Sequence, residues 1–190
     1  MYLALCLLLA VGALAQVPTT CPGPKQFEGR FQRYDRERRG QVRGAMAYDE
    51  TQRRVREFED IDIAGKKQAF DILRLYDQNV EYIVDRSTRK CNITTPTRRF
   101  HPIGVPPDAK FIGEGVIGAA GIVGESVTVA TFEGTYEDAK FFVSVTYPDC
   151  FPVTSGFKSA NDTGFTSFYD LQAGISDPDL FFPPKECTLH

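Results

Sequence analysis

The residues whose types and spacing could do chemistry are few: cysteines, two sequons, one interior histidine and some clustered carboxylates. Cys21, Cys91, Cys150 and Cys187 are widely separated, with no C-x-x-C pair, and the only histidines are His101 and His190. That set does not suggest a zinc site. Four cysteines in an exported chain suggest two disulfides, with three connectivities open at this point. Asn92-Ile93-Thr94 and Asn161-Asp162-Thr163 are N-glycosylation sequons. The densest acidic group is Glu57, Glu59, Asp60 and Asp62, and Asp177 and Asp179 flank Pro178. No calcium loop of the D-x-[DN]-x-[DN]-G type is present, so the metal assignment stays unknown. Strand alternation puts Glu57 and Glu59 on one face and Asp60 and Asp62 on the other, and a solvated face is the expectation for them. His101, before Pro102 in a proline-rich stretch, reads as a loop residue rather than a general base. With all four cysteines committed to bridges there is no thiol nucleophile. The sequence therefore names no catalytic residue and no cofactor, and a binding protein is expected rather than an enzyme.

Export follows from the first residues. Met1 to Ala15 is apolar apart from Tyr2 and ends in Ala13-Leu14-Ala15, the small-x-small pattern a signal peptidase accepts. The run is shorter than the roughly 20 apolar residues a membrane span needs. Cleavage after Ala15 is expected, with loss of Cys6 and a single domain over 16–190. The localisation that follows is secreted and extracellular, with lysosomal delivery left open. Net charge is −3 but unevenly spread: residues 1–99 carry 18 Lys/Arg against 13 Asp/Glu, and residues 100–190 carry 4 against 12. A basic first half could meet an anionic membrane or matrix surface, although a solvated dipolar surface explains the same distribution. Nothing points to nucleic acid.

The elements that would position these residues are strands. Phe27, Gly29 and Phe31 alternate with polar neighbours, as do Val42, Gly44, Met46 and Tyr48. Period two with one apolar face marks half-buried antiparallel strands. The tip between them, Arg36-Glu37-Arg38-Arg39-Gly40, matches a dibasic processing site but reads better as a hairpin turn. Further strands are expected at Arg53 to Phe58, Gln68 to Tyr76, Val80 to Asp85, Ser126 to Phe132, Lys140 to Tyr147, and around Phe165 to Leu171. Thr95 to Lys110, with four prolines, cannot form a regular central strand. Gly113 to Gly124, with five glycines, is read as a mobile loop; no strand and helix frame it as a dinucleotide fingerprint requires. The tail from Asp177-Pro178 to Cys187 reads as a strap pinned across the domain.

Several of these stretches together resemble the ependymin and ependymin-related family: Cys21-Pro22-Gly23-Pro24 with Phe27-Glu28-Gly29-Arg30, Tyr48-Asp49 with Arg54-Val55-Arg56, Thr88-Arg89-Lys90-Cys91, Asp149-Cys150-Phe151-Pro152-Val153, and Phe168-Tyr169-Asp170 through Phe182-Pro183-Pro184 to Cys187. The resemblance runs in order over nearly the whole mature chain. It implies a mainly β fold of two stacked, curved antiparallel sheets, a carrier-like half-barrel sandwich enclosing an apolar pocket. It also implies disulfides Cys21–Cys150 and Cys91–Cys187, a homodimer, and an association with calcium. A third bridge common in the family lacks its strand cysteine here, near Ile63-Ala64-Gly65.

Fifteen Phe and eight Tyr exceed what a small two-sheet core strictly requires. Met46, Tyr48, Phe70, Ile72, Tyr82, Val129, Phe141, Val143 and Val145 are therefore the candidate lining of a pocket for a lipid or other apolar small molecule. A closed, dry core would use the same residues. A matrix or adhesion glycoprotein with an empty interior and an enzyme on a carrier-like fold are the alternatives to a lipid-binding secreted glycoprotein.

Overall fold

The computed structural model describes residues 17–35, 40–136, 138–160 and 163–188. The leader, the Arg36–Arg39 tip, the Asn161 sequon and His190 lie outside the described residues. Among those described, one antiparallel sheet is built from β1 (Gln26–Asp35), β2 (Gly40–Asp49), β3 (Arg54–Ile63), β4 (Lys66–Leu75), β5 (Val80–Asp85), β6 (Lys90–Thr94), β7 (Lys110–Gly118), β8 (Ser126–Tyr136), β9 (Ala139–Thr146), β10 (Pro152–Lys158) and β11 (Thr163–Ala173). Its spatial order is β6-β5-β4-β3-β2-β1-β11-β10-β9-β8-β7. The chain is mainly β, as expected. The two halves are joined edge to edge by the β1–β11 pair, Phe31 opposite Phe168, so they form one open sheet with β6 and β7 as its edges.

Neighbouring strands stand about 4.8 Å apart, so β4 and β10, well separated in that order, would be far from each other in a flat sheet. They nevertheless line one cavity, which requires the sheet to curl. The inner face follows from the register. Phe27, Tyr48 and Val55 are partners, and Phe31, Gly44 and Glu59 are partners. A residue's partner shares its face, so the inner side of β1–β4 carries Phe27, Phe31, Met46, Tyr48, Val55, Glu57, Glu59 and Arg74.

Local turn chemistry fixes this register. Asp49 is fully buried; its Oδ1 accepts the Thr51 amide at 3.0 Å and its Oδ2 accepts Arg54 Nε at 2.9 Å, which closes the β2–β3 turn. Ala64 (φ 50°) and Gly65 (φ 81°) form the two-residue β3–β4 connection in the left-handed region that such tight hairpins demand.

The outer face of β2–β5 is covered by the tail. Phe181 packs with Ala47, Leu73 and Leu75, Arg54 sits 4.1 Å above its ring, and Arg56 Nη1 donates to the Leu180 carbonyl at 2.7 Å. Cys91 is bridged to Cys187, with Cα atoms 5.3 Å apart. The strap expected from the prolines and cysteine is this segment. The second bridge, Cys21 to Cys150 with Cα atoms 6.2 Å apart, ties the first described residues to the β9–β10 turn.

One expectation is corrected. Gly113 to Gly124 is not a loop throughout: residues to Gly118 form β7, paired with β8 from Lys110↔Glu133 to Gly118↔Ser126. Glycine weakens a strand but is tolerated on an edge, and a bulge between Phe111 and Gly113 takes up the irregularity. Only the turn is glycine-driven, with Gly118, Gly121 and Gly124 at φ +99°, +91° and +80°. Alternation does not mark β6, which has five residues and opens on a charged one, or β10, which opens on a proline.

Candidate functional site

On the inner face a cavity of about 600 Å³ lies between β1–β4 on one side and β10–β11 on the other. Phe31, Val42, Val55, Ile61, Phe157 and Phe168 supply apolar wall. The stretch Pro96–Ile103 covers one end and is anchored from below. The Ile103 amide donates to the Tyr48 hydroxyl at 3.0 Å, and the Phe100 ring stacks on Tyr48 at 5.8 Å and meets Tyr76 edge-on at 5.2 Å. Burial pushes the Tyr48 hydroxyl well above its ordinary pKa, so it keeps its proton.

The part of the cavity formed by β1, β3, β4 and β5 is charged. Arg33 Nη2 donates to Glu57 Oε1 at 3.2 Å and Arg33 Nη1 to Glu59 Oε1 at 3.3 Å. Arg74 Nη1 donates to the other oxygen of Glu57, and Arg74 Nε to Glu81 Oε1 at 2.6 Å. The three glutamate side chains are only 8–9% exposed. Burial by itself would raise the Glu57 pKa, but the Arg33 and Arg74 guanidiniums overcome it and hold the carboxyl below its ordinary value. Glu59 goes the other way: burial and the neighbouring Glu57 charge raise it more than Arg33 and Arg74 lower it. For Arg74, burial is outweighed by Glu57 and Glu81, which hold it firmly protonated. The expected solvated face is thus corrected for Glu57 and Glu59, which are buried and ion-paired. For Asp60, on the opposite face and exposed, it stands.

Of the pocket candidates, Met46 and Tyr48 line this cavity. Phe70 and Ile72 are on the same face of β4, opposite Glu59 and Glu57, but β4 contributes Arg74 to the lining in their place. Val143 and Val145 are packed with Val105, Ala130, Phe132 and Cys150, and Phe141 lies against that cluster. Val129 pairs with Thr146, one residue out of phase with Val145, and so faces outward. Tyr82, opposite Leu73, is on the outer face against the strap cluster. Two reasons separate these residues from the cavity: β7–β9 close on their own inner side chains, which takes Phe141, Val143 and Val145, and register puts Val129 and Tyr82 on the other face.

Sequence reasoning alone does not find these charged residues, because a charged side chain on a strand ordinarily faces solvent. A signal was present: Val55, Glu57, Glu59, Ile61 and Ile63 occupy one face of a single strand, with apolar residues on both sides of the acids, and Arg33 follows Phe31 on the same face of β1.

The acidic cluster does not fit a calcium ion. Glu57 and Glu59 are held by arginines inside, Asp60 and Asp62 point to the other face, and Asp60 is bonded to Arg86 at 3.3 Å. Asp177 is used as a cap, accepting the Asp179 amide at 2.9 Å. Among the described residues no group of three or more His, Cys, Asp or Glu is placed to hold a metal. His101 sits at the rim with its ring edge-on to Tyr136, 4.9 Å between centroids. Asn92 is exposed on the edge strand β6. Among the described residues no helix is long and apolar enough to cross a membrane.

Fold and site together define an open antiparallel β half-barrel with an internal chamber. Comparison with known proteins supplies the lineage. The Ependymin family model matches residues 64–187. Mammalian ependymin-related protein 1 of Mus musculus is 28% identical over 188 residues, covering 96% of this chain and 82% of that protein. Ependymin of Notemigonus crysoleucas is 27% identical over 146 residues, covering 76% and 68%. The crystal structure of an uncharacterized conserved protein from Thermus thermophilus superposes with a TM-score of 0.52 at 10% identity, covering 85% of this chain and 87% of that one, which is a likeness of fold. The chain belongs to the ependymin family.

Proposed function

We propose that this protein is a secreted, glycosylated binding protein that holds a lipid-like molecule in the chamber between β1–β4 and β10–β11. The observation that carries this reading is the chamber itself. Its volume of about 600 Å³ falls in the range of small-molecule sites, roughly 300–1,000 Å³, and its wall joins an apolar side, from several strands, to a charged end, which suits a molecule with an apolar tail and a polar head. Two cross-linked cysteine pairs, an exposed Asn92 sequon and the Met1–Ala15 leader support export. Binding rather than catalysis is favoured because the buried carboxylates are engaged by guanidiniums and His101 stands against an aromatic ring.

Native mass spectrometry of the purified protein, with lipid extraction of the same sample, tests the reading. A co-purifying amphiphile and saturable uptake of Nile red are the expected results. A protein that carries nothing and takes up no apolar probe overturns it. Glycosidase treatment and N-terminal sequencing test export separately: a mass loss that Asn92→Gln abolishes, and a mature chain starting at Gln16.

A further inference from the structure

A second opening lies on the outer face of the sheet, away from the chamber. We infer that it is a saccharide-binding groove, in which the Tyr169 ring stacks on a neutral sugar and the polar side chains around it bond the sugar's hydroxyls. This goes beyond the carrier reading and does not rest on it.

The groove has a volume of about 610 Å³ and its lining includes Arg30, Arg43, Ala45, Phe58, Asp60 and Tyr169. Its form follows from the register. Tyr169, Arg30, Ala45 and Phe58 are successive cross-strand partners on β11, β1, β2 and β3, so a single methyl group stands between two long side chains. Arg30 and Phe58 are two strand spacings apart, about 10 Å, which is room for one pyranose ring with its hydroxyls. The next partners on this face, Gln32, Arg43 and Asp60, add planar polar groups to the lining. The strap covers Ala47 but leaves Ala45 exposed.

The rim on β11 is built at a cost. Glu28 faces Gln172 and Arg30 faces Tyr169, which leaves Gly29 opposite both Asp170 and Leu171 in a β-bulge. Tyr169 shares its face with Arg30, so simple alternation would turn Asp170 inward. The bulge brings its carboxylate out onto the Arg30 guanidinium instead, with Asp170 at φ +51°, a left-handed angle that glycine adopts most freely. The two side chains of this pair are 70% and 58% exposed. An exposed ion pair contributes little to stability, so it does not offset the strain. Non-glycine residues held at such angles cluster at ligand sites, and bulges there re-aim side chains.

The chemistry of the lining selects the ligand. Tyr169 is 48% exposed and offers a flat apolar ring to the C–H face of a sugar. Both Arg30 bonds fall on one oxygen of Asp170, and Arg86 bonds one oxygen of Asp60. Each of these pairings leaves over guanidinium N–H groups and a carboxylate oxygen. A sugar hydroxyl both donates and accepts, so it can use that mixed set without displacing either pair. A sulfate, phosphate or carboxylate only accepts, and would compete with Asp60 and Asp170 for the arginines. A hydrocarbon would cover these groups and bond none of them, which is unfavourable.

The experiment is binding of the purified protein to an array of immobilised neutral, sialylated and sulfated glycans, with the best neutral glycan then titrated in solution by saturation-transfer NMR. A neutral glycan is expected to bind, and Tyr169→Ala to weaken it by about tenfold or more, while Tyr169→Phe retains most of the affinity. Asp170→Gly should also weaken it, and this variant should stay folded because glycine fits the angle. Nile red uptake should be unchanged in all three variants. Binding of no neutral glycan overturns the inference, as does a preference for sulfated or sialylated glycans, or a neutral glycan held equally well by Tyr169→Ala. None of these outcomes touches the carrier reading. Failure of the wild-type protein to take up Nile red removes that reading and leaves this one standing.

Discussion

Strands β7–β9 and strands β1–β4 present the same face of one sheet inward, yet they fill it in opposite ways. The first closes on Val105, Ala130, Phe132, Val143, Val145 and the half-cystine Cys150, a dry cluster at which no charged side chain is buried. The second keeps Phe27, Phe31, Met46 and Tyr48 at its base and is joined to β11 through β1, but it leaves a space over β3 and β4 at which Glu57 and Glu59, with Glu81 of the adjoining β5, are buried. Side chains that interlock give apolar contact with no desolvation to offset. Buried ion pairs recover at best about what their desolvation costs, so on stability alone a packed apolar substitute would serve as well or better. The difference teaches that one half packs its inner face throughout, while the other, packed at its base and under the strap, gives up part of that face to keep an interior space.

One truncation in each half puts that contrast at risk and should give the largest effects. Phe132→Ala leaves a hole in the dry cluster and is expected to cost about 3–5 kcal/mol. Arg74→Met takes from Glu81 its guanidinium partner and leaves Glu57 with Arg33 alone, and is expected to cost a similar amount, about 3–5 kcal/mol. Denaturant melts at two pH values separate them. The Arg74→Met loss should shrink as the pH falls below the ordinary glutamate value of 4.5, because the depressed Glu57 pKa that Arg74 helps to hold contributes stability above that value and loses it as the pH falls through the folded pKa, and the Phe132→Ala loss should not. A Phe132→Ala variant that stays folded should still take up Nile red. Equal pH dependence in the two variants would show that the arginine acts only by filling space.

A glycine on the inner face of β2 gives the next effect. A Cβ on Gly44 would stand 2.1 Å from the Phe58 carbonyl oxygen and 3.0 Å from the Phe31 ring. The nearest atom is a backbone oxygen, which no side-chain rotation can move aside, so Gly44→Ala should cost about 1–3 kcal/mol, measurable as a drop in Tm.

A smaller effect is expected at Glu59, and its sign differs from that of Glu57. Glu57 has a depressed pKa, so it contributes stability above the ordinary value of 4.5 that is lost as pH falls through its folded pKa. Glu59 has a raised pKa: the native state binds its proton more tightly than the unfolded chain. Its contribution is full below 4.5 and is lost as pH rises through the folded value. Glu59→Gln should therefore gain thermal stability relative to wild type as pH rises from below 4.5 towards neutrality. A gap that stays constant or narrows over that range would contradict the assigned shift.

How much of this was legible in the sequence divides along the same line as the two halves. Period-two alternation located β1, β2, β4, β5, β8, β9 and β11, because each places apolar residues at alternate positions on one face. The strap was legible because prolines and a terminal cysteine leave a chain few alternatives. The chamber was not. Which apolar residues line a space and which interlock depends on how far the sheet curls, and that is set by the β1–β11 pairing between distant parts of the chain. Met46 and Tyr48 reach the chamber because β2 lies near the middle of the curl, whereas Val143 and Val145 sit where it closes. The buried glutamates were hidden by a rule that is usually sound, that acids on a strand face water. It failed at β3 because arginines on β1 and β4 supply the counter-charge.

The smallest effect tests the residues the sequence reading took for a loop. Gly113 and Gly115 are in β7 with ordinary backbone angles, and a Cβ on either would meet nothing within 4 Å. With space available and no left-handed strain, alanine chiefly reduces the freedom of the unfolded chain, so Gly115→Ala should stabilise by about 0.4–1 kcal/mol. In a mobile loop the same change would be neutral, because folding would not have ordered that residue. At Gly44 in the other half the same substitution carries the opposite sign. A pair of chemical denaturation curves therefore decides whether β7 is a formed edge strand: a gain at Gly115 beside a loss at Gly44 supports it, and no change at Gly115 returns the segment to a loop.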